Sequence, residues 1–248
     1  MALDDILGST SRMVFHSPMS EERGDRIAAE LASIEPATVT DYACGWGELM
    51  LRVLALAPAA RGFGVDMSER DLARGRANAV ARGLADRVEF VEDHAGNRSR
   101  PADVVINSGA WQVFGRTVAK SLETLRSLVN PGGRVFFGVE HWETVPPPER
   151  LAHMWDGATA DRYQLLPDIV DHAIEAGFRP LRIESSTRSE WDDYESLESA
   201  DAEEWLLANP DHEDADEVRA RLARKREIWL RGHRDYFGFS MLTLGVPG

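Results

Sequence analysis

The chain has 248 residues, 43% of them hydrophobic, enough to bury a full core in one α/β domain. Its formal charge of −14 disfavours nucleic acid and anionic membrane as partners, because phosphate recognition draws most of its affinity from Lys and Arg. A single cysteine, Cys44, excludes an internal disulfide framework and argues against a cysteine zinc site, and no metal is expected because no further cluster of acids falls on the motif loops described below.

No run approaches the roughly 18 apolar residues of a membrane span, and the amino terminus lacks a basic-then-apolar signal pattern. The expectation is a cytoplasmic protein, monomeric or homodimeric. Near the amino terminus, "MVFHSPMSEERGDRIAAELASI" predicts a helix capped by Ser20, with Glu21, Glu22 and Asp25 in its first turns, where acids favour the helix dipole.

The most informative stretch is residues 38 to 50, "TVTDYACGWGELM". A β-rich run ends in Asp41 and turns through Gly45, Trp46 and Gly47 into a helix. Glycine has no Cβ, so such a turn permits positive φ and lets a ligand approach the main chain. Nineteen residues past Gly47, a second β-like run, "RGFGVD", ends in Asp66. That is close to the roughly 20-residue offset at which an acid meets ribose hydroxyls in nucleotide-binding βαβ units. The spacing points to a nucleoside-bearing cofactor.

Three segments follow in order. "DRVEFVEDHAG" reads as a third strand followed by Asp93 and His94. "ADVVINSGAWQVFG" reads as a fourth strand, Val104 to Ile106, opening into a loop from Asn107 to Trp111. "LRSLVNPGGRVFFGVEHW" reads as a helix, a Pro-Gly-Gly turn and a fifth strand. A dinucleotide fingerprint would need a third glycine where Met50 stands, which weakens a nicotinamide or flavin reading.

The segment instead resembles motif I of Rossmann-like (class I) S-adenosylmethionine (SAM) methyltransferases, an acid followed by G-x-G-x-G, here Asp41, Ala43, Gly45 and Gly47. Ala43 replaces the first glycine. The resemblance covers about two-thirds of the chain. It implies a doubly wound, seven-stranded, mostly parallel sheet with an antiparallel last strand. It also implies cofactor contacts from Asp41 to the ammonium of SAM, from Asp66 with Met67 to the ribose, from Asp93 with His94 to the adenine amine, and from Asn107 on the fourth-strand loop.

In many relatives the segment before motif I folds over the cofactor, making residues 1–36 a helical lid with Phe15, His16 and Met19 as its candidates. Residues 37–142 would be the cofactor-binding core, and 143–248 the substrate-side half. Strands six and seven are expected at "PLRIESSTR" (Pro180 to Arg188) and "FGFSMLTLGV" (Phe237 to Val246). The roughly fifty residues between them far exceed a hairpin turn. They predict a helical insertion over about 189–236, with one helix ended by Pro210 and a second ended by Gly232. In the second, Val218, Leu222, Lys225 and Trp229 share a face. Residues 190 to 217 hold thirteen Asp or Glu and no Lys or Arg, which argues against a nucleic-acid helix.

Methyl transfer from SAM needs a base only if the acceptor arrives protonated. Glu140 is the favoured base, because an acid beside Trp142 in an apolar pocket would have a raised pKa. His141, on the opposite face of the strand, and His16 are the rivals. Trp46, Trp111 and Trp142 offer flat faces for an acceptor. Enzymes that methylate nucleobase and protein-amide nitrogens often carry Asn-Pro-Pro-Tyr after strand four. This chain has Asn107-Ser108-Gly109-Ala110, which leaves a small-molecule N or O acceptor as the expectation. Two other readings stay open: a SAM-binding protein without transferase activity, and an NAD(P)-dependent oxidoreductase that tolerates Met50.

Overall fold

The computed structural model describes residues 7, 8 and 10–248. Residues 1–6 and 9 of the expected lid lie outside the described residues. The chain divides into two compact units. One comprises Ser20–Glu140, Leu166–Ser185 and Phe239–Gly248; the other comprises the described part of Met1–Met19, with His141–Leu165 and Ser186–Gly238.

The first unit is built on the sheet. Helix α1 (Glu21–Ala32) begins where expected, with the Ser20 hydroxyl accepting from the Arg23 N–H. Strand β1 (Thr38–Tyr42) is followed by α2 (Glu48–Leu56), β2 (Arg61–Asp66), α3 (Glu69–Ala81), β3 (Val88–Glu92) and β4 (Ala102–Ser108). Then come α4 (Val118–Leu128), β5 (Val129–Trp142), a single turn α5 (Pro148–Leu151) that belongs to the second unit, α6 (Leu166–Glu175), β6 (Arg179–Ser185) and β7 (Phe237–Gly245). The sheet order is β3-β2-β1-β4-β5-β7-β6, with β6 and β7 antiparallel.

From β1 the chain steps outward to β2 and β3, then crosses to β4 on the other side of β1. The carboxyl ends of β1 and β4 therefore flank a topological switch point, where open α/β sheets bind ligands. Register fixes the rows there: Asp41 pairs with Ile106, and Ser108 with Gly138. Strand β4 runs further than expected, to Ser108, because Asn107 and Ser108 stay paired with Phe137 and Gly138. The expected Pro-Gly-Gly turn sits inside β5 as an irregularity. Ala102 pairs with Val129 and Val104 with Arg134, so the extra residues bulge out through Gly132 at φ +76°.

The core lies on the face of the sheet covered by α4 and α6. Tyr42, Val105, Leu122, Leu125, Phe137 and Ile169 pack there almost without exposure. Each such side chain contributes on the order of 1.5–3 kcal/mol by leaving water.

The second unit contains the insertion. Helix α7 (Arg188–Ala208) opens the expected insertion at its very start. Thr187 caps the Glu190 N–H, and the Glu190 carboxylate returns to the Thr187 N–H and hydroxyl. The signal, Thr followed three residues later by Glu, is present in the sequence. The helix ends at Asn209, before Pro210, as expected. Helix α8 (Ala215–Glu227) buries Val218 and Leu222 against Ala202. Gly232 does not end the chain's helical path: residues Ile228–His233 continue as a π-helix, in which Gly232 admits Met154 at 3.0 Å from where a Cβ would stand.

Candidate active site

The turn after β1 takes positive φ at alternate residues: Ala43 at +56°, Gly45 at +54° and Gly47 at +65°. Ala43 therefore adopts the left-handed backbone that the first glycine of the motif would adopt freely. Left-handed backbone costs a non-glycine residue roughly 1–2 kcal/mol, partly offset by the greater chain entropy glycine loses on folding. Ala43→Gly is expected to stabilise the protein by about 1 kcal/mol, or roughly 2–4 °C in Tm at this size, readable by calorimetry. A lower Tm would show that the Ala43 methyl makes packing contacts worth more than the strain.

The two glycines have different reasons to be glycine. At Gly47 a Cβ would stand 2.8 Å from Phe90 Cε1 and 3.2 Å from Met50, so packing against β3 excludes a side chain. Gly64 and Gly75 approach the same Phe90 ring as closely, at 2.9 Å. Gly45 is buried, yet a Cβ there would meet no atom within 4 Å. The room for a ligand is on Gly45, not Gly47. Gly47→Ala is expected to destabilise by about 2–4 kcal/mol, because the clash with Phe90 adds to the positive φ. Urea unfolding monitored by circular dichroism would read it.

The expected acids occupy the carboxyl ends of their strands. Asp41 is 4% exposed, and no hydrogen bond reaches its carboxylate from the described residues. Burial pushes its pKa well above the usual carboxylate range, and the nearby Asp66 pushes it further. Burial, then Asp41 and Asp66, raise the Cys44 thiol in the same way, so Cys44 is a poor nucleophile. Asp66 is held by backbone: one oxygen accepts the Gly45 N–H at 2.8 Å and the other the Ser68 N–H at 2.9 Å. Met67, beside it, is largely exposed.

Asp93 is engaged by its own loop. Oδ1 accepts from Asn97 Nδ2 and the His94 N–H, and Oδ2 pairs with Arg98. Asn97 first, then the His94 N–H and Arg98, hold the carboxyl below its usual range. His94 is exposed, and its Nδ1 accepts from the Gly96 N–H. Asn107 is fully buried: its Nδ2 donates to the carbonyls of Tyr42 and Ala110, while its Oδ1 has no partner.

At the end of β5, Glu140 is partly buried, and its own backbone N–H and the neighbouring Trp111 side chain favour its charged form. Burial nevertheless raises its pKa. Trp111 is oriented in turn, since the Ser121 hydroxyl donates to its carbonyl at 2.7 Å. His141 is 2% exposed, and burial lowers its pKa. His16 lies on the surface of the second unit.

Two expected aromatic platforms are closed in this structure. Trp46 is 2% exposed, with the Arg74 guanidinium 3.9 Å from its ring centroid. Trp142 is fully buried, stacked on Trp155 at 6.3 Å and flanked by Tyr163 and Phe237 at 5.2 and 5.3 Å, with its indole N–H on the Ala160 carbonyl. Both are correctable only from tertiary structure, because Arg74, Tyr163 and Phe237 come from distant segments. The second unit also brings His233 Nε2 within 3.0 Å of Glu195 Oε1, both side chains nearly buried, a contact between segments too far apart for the sequence to show. Among the described residues no group of three His, Cys, Asp or Glu is placed to hold a metal, and no helix is long and apolar enough to cross a membrane.

A doubly wound sheet whose acid-tipped strands meet a glycine turn at the switch point defines a nucleoside-binding α/β protein. Known proteins sharpen this. Residues 39–133 match the family of methyltransferase domains. The chain is 28% identical to the uncharacterized protein YjhP of Escherichia coli K12 over 95% of each chain. Its fold matches a SAM-dependent methyltransferase from Geobacter sulfurreducens in complex with S-adenosyl-L-homocysteine, with a TM-score of 0.84, 29% identity and 98% and 97% of the two chains covered. A SAM-dependent methyltransferase from Thiobacillus denitrificans, in complex with the same molecule, matches at 0.82 and 27% identity over 97% and 96%. The matched domain and the neighbours with S-adenosyl-L-homocysteine bound indicate a SAM-dependent methyltransferase of class I, with SAM as its cofactor.

Proposed function

We propose that the protein is a cytoplasmic enzyme that methylates a nitrogen or oxygen of a small molecule, with Glu140 as the general base. The observation that carries this reading is the Glu140 carboxyl itself. It closes the strand next to β4, it lies beside Trp111, and burial raises its pKa toward the range useful for a base at neutral pH. The residues present suit the cofactor: Gly45 leaves enclosed room, Asp41 is an unpaired buried acid suited to an ammonium, and the Asn107 amide oxygen lacks a donor.

Bound there, SAM supplies an electrophilic methyl, which passes to the acceptor as the carbon–sulfur bond breaks and its electron pair stays on sulfur. The chain's part is to hold the acceptor in line, keep water out and take its proton. Asp66 would accept the ribose diol with the lone pairs that Gly45 and Ser68 leave free, and Asp93 the adenine amine beside its own loop bonds.

Calorimetric titration with SAM, S-adenosylhomocysteine and NADH tests the cofactor reading, and acceptor screening with labelled SAM tests the transfer. Asp66→Ala is expected to weaken both adenosyl ligands by roughly 10- to 100-fold, since it removes charge-assisted bonds worth about 1.5–3 kcal/mol. Unchanged affinity would remove Asp66 from the site.

A further inference from the structure

Resting on the methyl-transfer reading above, we propose that the acceptor is an amine that arrives as its ammonium ion and docks on Glu140 beside the Ser108 hydroxyl. The corner formed by the ends of β4 and β5 offers hydrogen-bond acceptors and an aromatic wall. A Cβ on Gly138 would stand 2.6 Å from Ser108 Oγ and 2.7 Å from Phe239 Cζ. The Ser108 hydroxyl therefore lies against the face of β5 that carries residue 138. Side chains two apart on a strand share a face, so the Glu140 carboxyl lies on that face too.

Further geometry ties the corner together. The Gly109 N–H bonds the Gly138 carbonyl at 2.9 Å, and Glu140 Oε1 lies 3.5 Å from where a Gly109 Cβ would be. Gly109 takes φ +68°, so a side chain there would be strained as well. Phe239 reaches the same spot, 3.7 Å from that Cβ position. The neighbouring Trp111 side chain favours the charged carboxylate, whose oxygens have lone pairs to offer a ligand.

Ser108 Oγ is buried and has no hydrogen-bond partner, a costly state that a ligand rich in N–H donors would relieve. From Ala102 through Gly115 there is no Lys, Arg or His. In the part of β5 leading to Glu140 the one cation is Arg134, whose guanidinium is bound to the Gly132 and Gly133 carbonyls. A carboxylate or phosphate acceptor would meet the Glu140 charge with nothing to offset it. An alcohol would satisfy one acceptor, whereas an ammonium brings three donors and a charge suited both to Glu140 and to the Phe239 face.

The reaction balances without a further reactant. Glu140 takes one proton from the ammonium; the freed lone pair forms the nitrogen–carbon bond; the carbon–sulfur bond breaks with its pair left on sulfur; and the product is a methylated ammonium with S-adenosylhomocysteine.

The test uses the full-length protein saturated with S-adenosylhomocysteine, with the Trp111 indole N–H followed by nitrogen–proton NMR and assigned by its loss in Trp111→Phe. Ethylammonium, ethanol and acetate are the probes. Ethylammonium is expected to move the Trp111 resonance in a saturable way, with acetate silent and the response lost in Glu140→Gln. An equal or larger response to acetate or ethanol, or none to ethylammonium at its highest soluble concentration, overturns the amine assignment. The wild-type comparison stands even if the variant misfolds. Failure of S-adenosylhomocysteine to bind at the outset would instead strike the methyl-transfer reading.

Discussion

Replacing Glu140 by Gln is expected to lower kcat for methyl transfer by about 10²–10⁴-fold, the usual contribution of a positioned general base, while S-adenosylhomocysteine affinity stays within a few-fold. Gln keeps the shape of the side chain, so the loss would report the missing proton acceptor and not a collapsed corner. The pH profile supplies an independent check. Burial raises the folded pKa of Glu140, and a base must be ionised, so turnover should climb through a pH above the ordinary glutamate range and level off beyond it. The same rise has a stability cost: the neutral form is favoured in the fold, so the stabilisation is full below the unfolded pKa and is lost as pH rises through the folded one. Glu140→Gln should erase the acidic limb of the rate profile and flatten that part of the stability curve. Full activity in the variant would move the base elsewhere. His141 would be the next candidate, since burial keeps its imidazole neutral and able to accept a proton.

What the sequence disclosed about this site is what local pattern encodes. Asp41 and Asp66 end alternating or apolar runs, and Asp93 follows one directly, so their place at the sheet's carboxyl edge is legible without coordinates. The order of the strands followed from motif spacing, and the long excursion between β6 and β7 from chain length alone. The start of α7 was written in Thr187 and Glu190 but obscured by the acidic run that follows. What stayed hidden depends on residues distant in sequence. Gly45 and Gly47 look equivalent until Phe90 from β3 is placed against one of them. Trp46 and Trp142 look like open platforms until Arg74 covers one and Trp155, Tyr163 and Phe237 enclose the other. The nearness of Trp111 to Glu140 brings the turn after β4 to strand β5, segments that sequence spacing treats as unrelated.

Asp41→Asn is expected to move cofactor affinity and apo-protein stability in opposite directions. In the ligand-free fold the Asp41 carboxylate is buried, accepts no hydrogen bond from the described residues and lies near Asp66, so every influence on it raises its pKa. A raised acid contributes stability that is complete below its unfolded pKa and is lost as pH rises through the folded value; at neutral pH its ionisation therefore works against the fold. Asn removes that charge at nearly constant volume and should stabilise the apo protein by roughly 1–3 kcal/mol at neutral pH, with the advantage vanishing in acid. SAM, by contrast, presents an ammonium for which the ionised carboxylate is the partner. The variant should bind SAM and S-adenosylhomocysteine roughly 10- to 100-fold more weakly, from a lost charged hydrogen bond worth about 1.5–3 kcal/mol. In the wild type, affinity should rise with pH until Asp41 is fully ionised, and binding below that point should release a proton, measurable by calorimetry in buffers of different ionisation heat. A wild-type affinity independent of pH, or a variant that is both less stable and equally tight, would mean that Asp41 serves the fold and not the cofactor. Opposed shifts in Tm and Kd would mark a site that holds an unpaired charge in readiness for its ligand, at the expense of the empty fold.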